Sequence, residues 1–331
     1  MEGGDDREGV ELTGMRVWRG DFSVLPVSFA IALGVAGGAV SSQQPATPSE
    51  RQALDIRSSL DGSSQRSYLV IPPQLPEAPH PLLVILHPWS VSNEGRWPTI
   101  EREAAARGWL VLEPNFRGPS DHPEGCGSRV AQQDILDAVA FVREKISAIR
   151  VDEKRVYLMG YSGGGFMTLL MAARHPDTWA AASAWAGIAD LAAWYDETSF
   201  DTVRAQLRGC FGGAPDSRLT PQYRERSPIT YLRRSLTVPI EIAHGDHDPQ
   251  VSIGHALRAF DLLAPGAVSA AEIDQLTSGK AASPPARFDP LVKGDILLRR
   301  SVGAFRLTVY DGGHGYYPLA GMAWLAQHRR P

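Results

Sequence analysis

Arg155-Val156-Tyr157-Leu158-Met159-Gly160-Tyr161-Ser162-Gly163-Gly164-Gly165-Phe166-Met167-Thr168-Leu169-Leu170-Met171 decides the reading of this chain. Its first five residues are mostly apolar and β-prone. The residues from Phe166 to Ala173 are apolar and suit a helix. Between them stands G-x-S-x-G, with small residues on both sides of Ser162. A turn from strand to helix at this point is too tight for neighbouring side chains, and it lifts the serine hydroxyl above the end of a sheet.

Two later segments share that placement at the end of an apolar strand. His244-Gly245-Asp246-His247-Asp248 follows Pro239–Ala243, and Gly312-Gly313-His314-Gly315 follows Phe305–Tyr310. A serine hydroxyl attacks carbonyls poorly without a base. A histidine, which titrates near neutrality, can supply one. An acid must then fix the histidine tautomer and stabilise the imidazolium. Ser162, Asp248 and His314 take these roles, with Asp246, two residues closer to the strand, as the competing acid. Serine, acid, histidine is the chain order of the α/β-hydrolase triad. The expected oxyanion donors are the backbone N–H of Gly163 and, from the loop His87-Pro88-Trp89-Ser90, that of Trp89, because Pro88 has none. His87 is expected to hold that loop rather than react.

The His244, Asp246, His247, Asp248 cluster also invites a zinc reading. Its spacing offers no clear helical ligand pair and no companion His/Cys cluster is evident, so neither a metal nor a cofactor is expected.

Strand and helix alternate through most of the chain. Leu82–Leu86 is a continuous apolar run that suits a strand buried on both faces. Trp109–Leu112, Ala180–Ala186 and an edge strand at Ser67–Ile71 read as further strands. Ile100–Arg107, Val130–Ile149, Ile253–Leu263 and Leu319–Gln327 read as helices. The pattern predicts an α/β-hydrolase fold, with a mainly parallel sheet and helices on both faces. Residues 190–236, without strand period, are expected to form a cap-like insertion, and residues 264–298 an irregular one. The catalytic domain is expected over 65–331. Residues 42–64 are expected to be a linker and N-terminal extension.

Met15-Arg16-Val17-Trp18-Arg19 precedes an uncharged stretch, Phe22 to Val40, and small residues at Ala39-Val40-Ser41. Residues 1–41 therefore read as a secretory signal cleaved near Ser41, with Met15 as an alternative start. A membrane anchor over 22–40 is the competing reading. Pro26, Gly34, Gly37 and Gly38 make that segment marginal as a span. A secreted or periplasmic domain follows. The chain of 331 residues has 43% hydrophobic and 21% charged residues and a net charge of −4, which suit a sizeable core and favour neither nucleic acid nor an anionic membrane. The first 41 residues carry a net −3, leaving about −1 for the remainder. Cys126 and Cys210 are the only cysteines, and both map to the loop-bearing end of the sheet. After export one disulfide between them is a possibility, and two unpaired thiols the alternative.

Together these residues resemble the catalytic domain of the prolyl oligopeptidase family. Gly160–Gly165 with Arg174-His175-Pro176-Asp177 matches that family around its nucleophile. Asn115-Phe116-Arg117-Gly118 resembles its N-Y-R-G segment. His244–Val251 fits its H-G-x-x-D-x-x-V acid loop, an alignment that puts the acid on Asp248, and Gly313-His314-Gly315 fits its histidine loop. The resemblance covers about residues 65–330 and implies an acyl-enzyme serine peptidase acting on small peptides. Three departures matter. The family's peptidases add a β-propeller, for which this length leaves no room. Its tyrosine oxyanion donor has no counterpart in His87-Pro88-Trp89. Its exopeptidases bind peptide termini with acidic residues outside this domain, so the resemblance does not supply them. A carboxylesterase acting on small or polysaccharide-linked esters fits the bare domain as well. A catalytically silent binding protein on the same fold is the reading from another class, and an intact triad argues against it.

Overall fold

The computed structural model describes residues 49–146, 149–278 and 287–331. The expected signal segment, 1–41, lies outside them. No helix among the described residues is long and apolar enough to cross a membrane.

The strands are β1 (Glu50–Arg57), β2 (Ser64–Ile71), β3 (His80–Leu86), β4 (Leu110–Glu113), β5 (Val151–Tyr161), β6 (Ala181–Trp185), β7 (Ile240–Gly245), β8 (Arg287–Asp289), β9 (Gly294–Val302) and β10 (Phe305–Tyr310). They form one sheet in the order β1-β2-β4-β3-β5-β6-β7-β10-β9-β8. The six from β4 to β10 run parallel. Antiparallel pairs flank them on both sides. Every residue of β3, β6 and β7 is buried, as central strands covered on both faces require.

The helices are α1 (Pro98–Arg107), α2 (Arg129–Lys145), α3 (Gly163–Arg174), α4 (Leu191–Glu197), α5 (Asp201–Phe211), α6 (Thr220–Arg226), α7 (Gly254–Leu263), α8 (Ala270–Thr277) and α9 (Pro318–Leu325). Ile135, Val139 and Val142 of α2 join Phe166 and Leu170 of α3 and Phe260 of α7 in the core on one side of the sheet. Ile100 and Ala104 of α1 pack with Met322 and Leu325 of α9 in a separate core. The α/β-hydrolase fold is thus the observed one. Helices α4, α5 and α6 fill the expected cap between β6 and β7.

Three expectations differ from the structure. Within the span expected to be a linker and extension, Glu50–Arg57 form β1, which pairs with β2 from Glu50↔Ile71 to Arg57↔Ser64 and belongs to the sheet. In β1 only Leu54 and Ile56 are buried, so this edge strand carries too short an apolar alternation to stand out. Residues 264–298 are not irregular throughout. They contain α8, opened by a capping box between Ser269 and Glu272, the strand β8 and the start of β9. In β9 only Ile296 is buried, again the pattern of a sheet margin. Helix α2 also stops at Lys145 rather than at Ile149.

Candidate active site

Parallel strands point all their C-terminal ends the same way. The turns after β5, β7 and β10 therefore share one edge of the sheet, and these turns carry Ser162, Asp248 and His314.

Ser162 is the N-cap of α3, with φ 57° and ψ −119°. A non-glycine residue held at positive φ costs of order 1–3 kcal/mol and persists only where its surroundings over-determine it. Close packing supplies that constraint. A Cβ on Gly160 would lie 2.3 Å from the Gly164 carbonyl oxygen, and one on Gly163 would lie 2.3 Å from the Trp89 nitrogen. Only glycine allows both approaches.

The hydroxyl of Ser162 lies 2.9 Å from His314 Nε2, and His314 Nδ1 lies 2.6 Å from Asp248 Oδ2. The Asp248 side chain is fully buried and that of His314 nearly so. The other carboxylate oxygen of Asp248 accepts the backbone N–H groups of Gln250 at 2.8 Å and Val251 at 3.1 Å. Burial opposes a charge on Asp248, but hydrogen bonds from His244 and His314 outweigh it and hold the carboxyl well below the usual carboxylate range. Tyr161, beside the serine, donates its hydroxyl to the His314 carbonyl at 3.1 Å and packs its ring at 4.9 Å from the imidazole.

Asp246 does not meet His314. Its carboxylate accepts the Gly312 N–H at 3.1 Å and faces His247 Nδ1 at 2.7 Å, so it ties the acid loop to the histidine loop. The four-residue metal cluster considered from sequence is split. His244 and Asp248 turn inward to the serine side, while Asp246 and His247 lie with Asp311, their ligand atoms within 4.8 Å of one another, in a group that is partly to fully exposed.

Gly163 and Trp89 bring their backbones into contact beside Ser162. Among the described residues, neither N–H donates to a backbone carbonyl across a turn or loop. Backbone N–H groups beside a serine hydroxyl are of the kind that an oxyanion takes. His87 is buried and spends its ring on the loop. Nε2 lies 2.7 Å from the Asn115 carbonyl, and the ring stacks on Phe116 at 3.8 Å. Burial pushes its pKa down.

A cavity of about 290 Å³ opens over Ser162 and His314. Trp89, Trp194 and Tyr161 supply aromatic wall, and Phe200, Val203 and Gln206 come from the start and body of α5. Gln206 and Ser90, both lining the cavity, hydrogen-bond each other at 3.1 Å. Trp194 is fixed by donating Nε1 to the Gln250 carbonyl at 3.0 Å and stands edge-on to Trp89 at 5.1 Å. Cys126 and Cys210 form a disulfide, Cα to Cα 6.2 Å, joining the loop after β4 to the end of α5. Sequence reasoning missed the α5 wall, although Leu207, Cys210 and Phe211 stand at helical spacing and are buried.

The fold and the serine at its sheet edge define an α/β-hydrolase enzyme domain. Residues 100–278, more than half of the chain, match the prolyl oligopeptidase family, and the chain belongs to it. It is similar to the uncharacterized peptidase YtmA of Bacillus subtilis, 28% identical over 152 residues that make up 46% of this chain and 57% of that protein. It is also similar to feruloyl esterase B of Thermothelomyces thermophilus, 29% identical over 134 residues, 37% of this chain and 44% of that one. The chain thus spans about half the length of these two curated relatives. Among solved structures, the acylaminoacyl peptidase of Pyrococcus horikoshii superposes with a TM-score of 0.58 at 17% identity, over 84% of this chain and 40% of that one, a likeness of fold.

Proposed function

We propose that this chain is an exported serine hydrolase that works through an acyl-enzyme on small, uncharged acyl substrates. The observation that carries the reading is the unbroken line from Ser162 through His314 to Asp248, built from three separate turns. Ser162 Oγ attacks the substrate carbonyl carbon and gives its proton to His314 Nε2. The N–H groups of Gly163 and Trp89 hold the oxyanion. His314 then passes that proton to the leaving oxygen or nitrogen as its bond to the acyl carbon breaks. Water attacks the acyl-enzyme with His314 again as base, and Ser162 is restored.

Membership of the family supports a peptidase. A second reading, an esterase, is favoured by the cavity lining, which apart from His314 holds no basic or acidic side chain among the described residues to grip a peptide terminus. Its volume is roughly twice the ~150 Å³ that encloses a benzene molecule, room for one ring-sized group beside the reacting carbonyl. Export rests on the uncharged Phe22–Val40 stretch behind Arg16 and Arg19, and a disulfide suits an oxidising compartment.

Fluorophosphonate labelling of the protein, compared with Ser162→Ala, tests the enzyme assignment. Labelling should occur and be lost in the variant. Paired peptide and short ester substrates then decide the bond cleaved. The N-terminus and cell fraction of the expressed full chain decide between a cleaved signal and an anchor.

A further inference from the structure

His244, the penultimate residue of β7, is fully buried. Its Nε2 lies 2.8 Å from the Val251 carbonyl oxygen and 3.3 Å from Asp248 Oδ2. A carbonyl oxygen can only accept, so Nε2 bears the proton and the same N–H faces both oxygens. In the neutral ring Nδ1 is then bare, and among the described residues it has no hydrogen-bond partner. A buried polar atom left unpaired lowers stability, and an apolar side chain would fill this space without that cost. The other buried histidine nearby spends its ring differently: His255 Nδ1 accepts the backbone N–H groups of Ala189 and Asp190. His244 instead faces the acid of the site.

What that contact adds follows from the carboxylate's geometry. Two turn amides anchor one oxygen of Asp248 but leave the second defined only by His314, the group it must orient. We infer that His244 is a positioning residue, whose Nε2–H, bonded to the Val251 carbonyl and held 3.3 Å from Asp248 Oδ2, fixes the carboxylate plane and so the direction of the His314 imidazole toward Ser162. The inference rests on the acyl-enzyme reading above. Val251 makes the arrangement self-locking, because its N–H holds Asp248 while its carbonyl holds His244.

The test uses the full chain with Ser162→Ala as a first control. Absent fluorophosphonate labelling of the wild type, or labelling that survives Ser162→Ala, would remove the enzyme reading itself, before His244 enters. With that reading intact, His244→Leu should lower kcat on a short nitrophenyl ester about ten- to a hundredfold at nearly unchanged KM, the range expected for one hydrogen bond to a charged group. The low-field proton resonance of His314 Nδ1–H should shift in the same variant. His244→Gln, which keeps an N–H at similar reach, should recover most of the rate. Nitrogen-15 shifts of the wild type should report His244 as the Nε2–H tautomer. A folded Leu variant with wild-type kcat and an unmoved resonance overturns the proposal. So does a Gln variant no faster than Leu, or an Nδ1–H tautomer in the wild type. Should the Leu variant not fold, the tautomer and the Gln variant still decide.

Discussion

The backbone N–H of Ser120 donates to the carbonyl of Trp89 at 2.7 Å, which fastens the candidate oxyanion loop to the loop closed by the disulfide. The Cys126 N–H in turn faces the Ser120 hydroxyl at 3.4 Å. Breaking the Cys126–Cys210 bond should therefore act on stability and on rate together. The bond closes a separation of 84 residues. Its loss should cost about 2–4 kcal/mol, read from urea unfolding of Cys210→Ser or of reduced protein. A turnover number that stays at the wild-type value after reduction would contradict the link to Trp89.

The two acid-loop aspartates should separate cleanly. Asp248→Asn keeps the shape but leaves His314 with the wrong partner, and kcat should drop about ten-thousandfold, as in other serine triads. Asp246→Asn loses only a loop tie and should stay within about tenfold of wild type. Comparable losses in both, at equal stability, would move the acid role off Asp248.

Gly163→Ala puts a methyl group 2.3 Å from the Trp89 nitrogen. One of the two backbones must shift, and the two N–H groups then no longer converge. Loss of one oxyanion donor is worth roughly 10²–10³ in kcat. Steady-state kinetics on a small ester should show that loss mainly in kcat. An alanine variant with full turnover would exclude this pair as the oxyanion site.

Glu113 predicts a pH dependence of stability. Its carboxylate receives Arg51 at 2.9 Å, but its other oxygen is buried without a partner among the described residues. Burial, which outweighs Arg51, pushes its pKa from 4.5 up to about 7. Between those values the native state holds a proton that the unfolded state has released, so stability must fall as pH rises. The gap corresponds to as much as about 3 kcal/mol. Melting temperatures from pH 5 to 8 should decline in the wild type and decline less in Glu113→Gln. Parallel curves for both proteins would refute the assignment.

Much of the site was legible because it is built from local signals. The glycines around Ser162, the apolar runs of β3, β5 and β10, and the glycines flanking His314 each report a turn or a buried strand in their own residues. The sheet margins were not legible in this way. Strands β1 and β9 face water along much of their length, so their residues carry little apolar alternation. Contacts between distant segments were hidden for another reason. Nothing near Gln206 signals Ser90, and nothing in the His-Gly-Asp-His-Asp string separates the inward pair, His244 and Asp248, from the outward pair.

The parallel pairing of β7 with β10 sets Glu241 against Arg306 and Gly245 against Tyr310. Arg306 Nε binds the buried Glu241 carboxylate at 3.0 Å. One residue of slippage between these strands would displace their ends by about 3.3 Å, beyond what an imidazole and a carboxylate can bridge. In the proposed mechanism, the ion pair at the far end of the strands would serve as a vernier for proton transfer at the near end. Substitutions at Glu241 or Arg306, away from Ser162, should then mistune the enzyme.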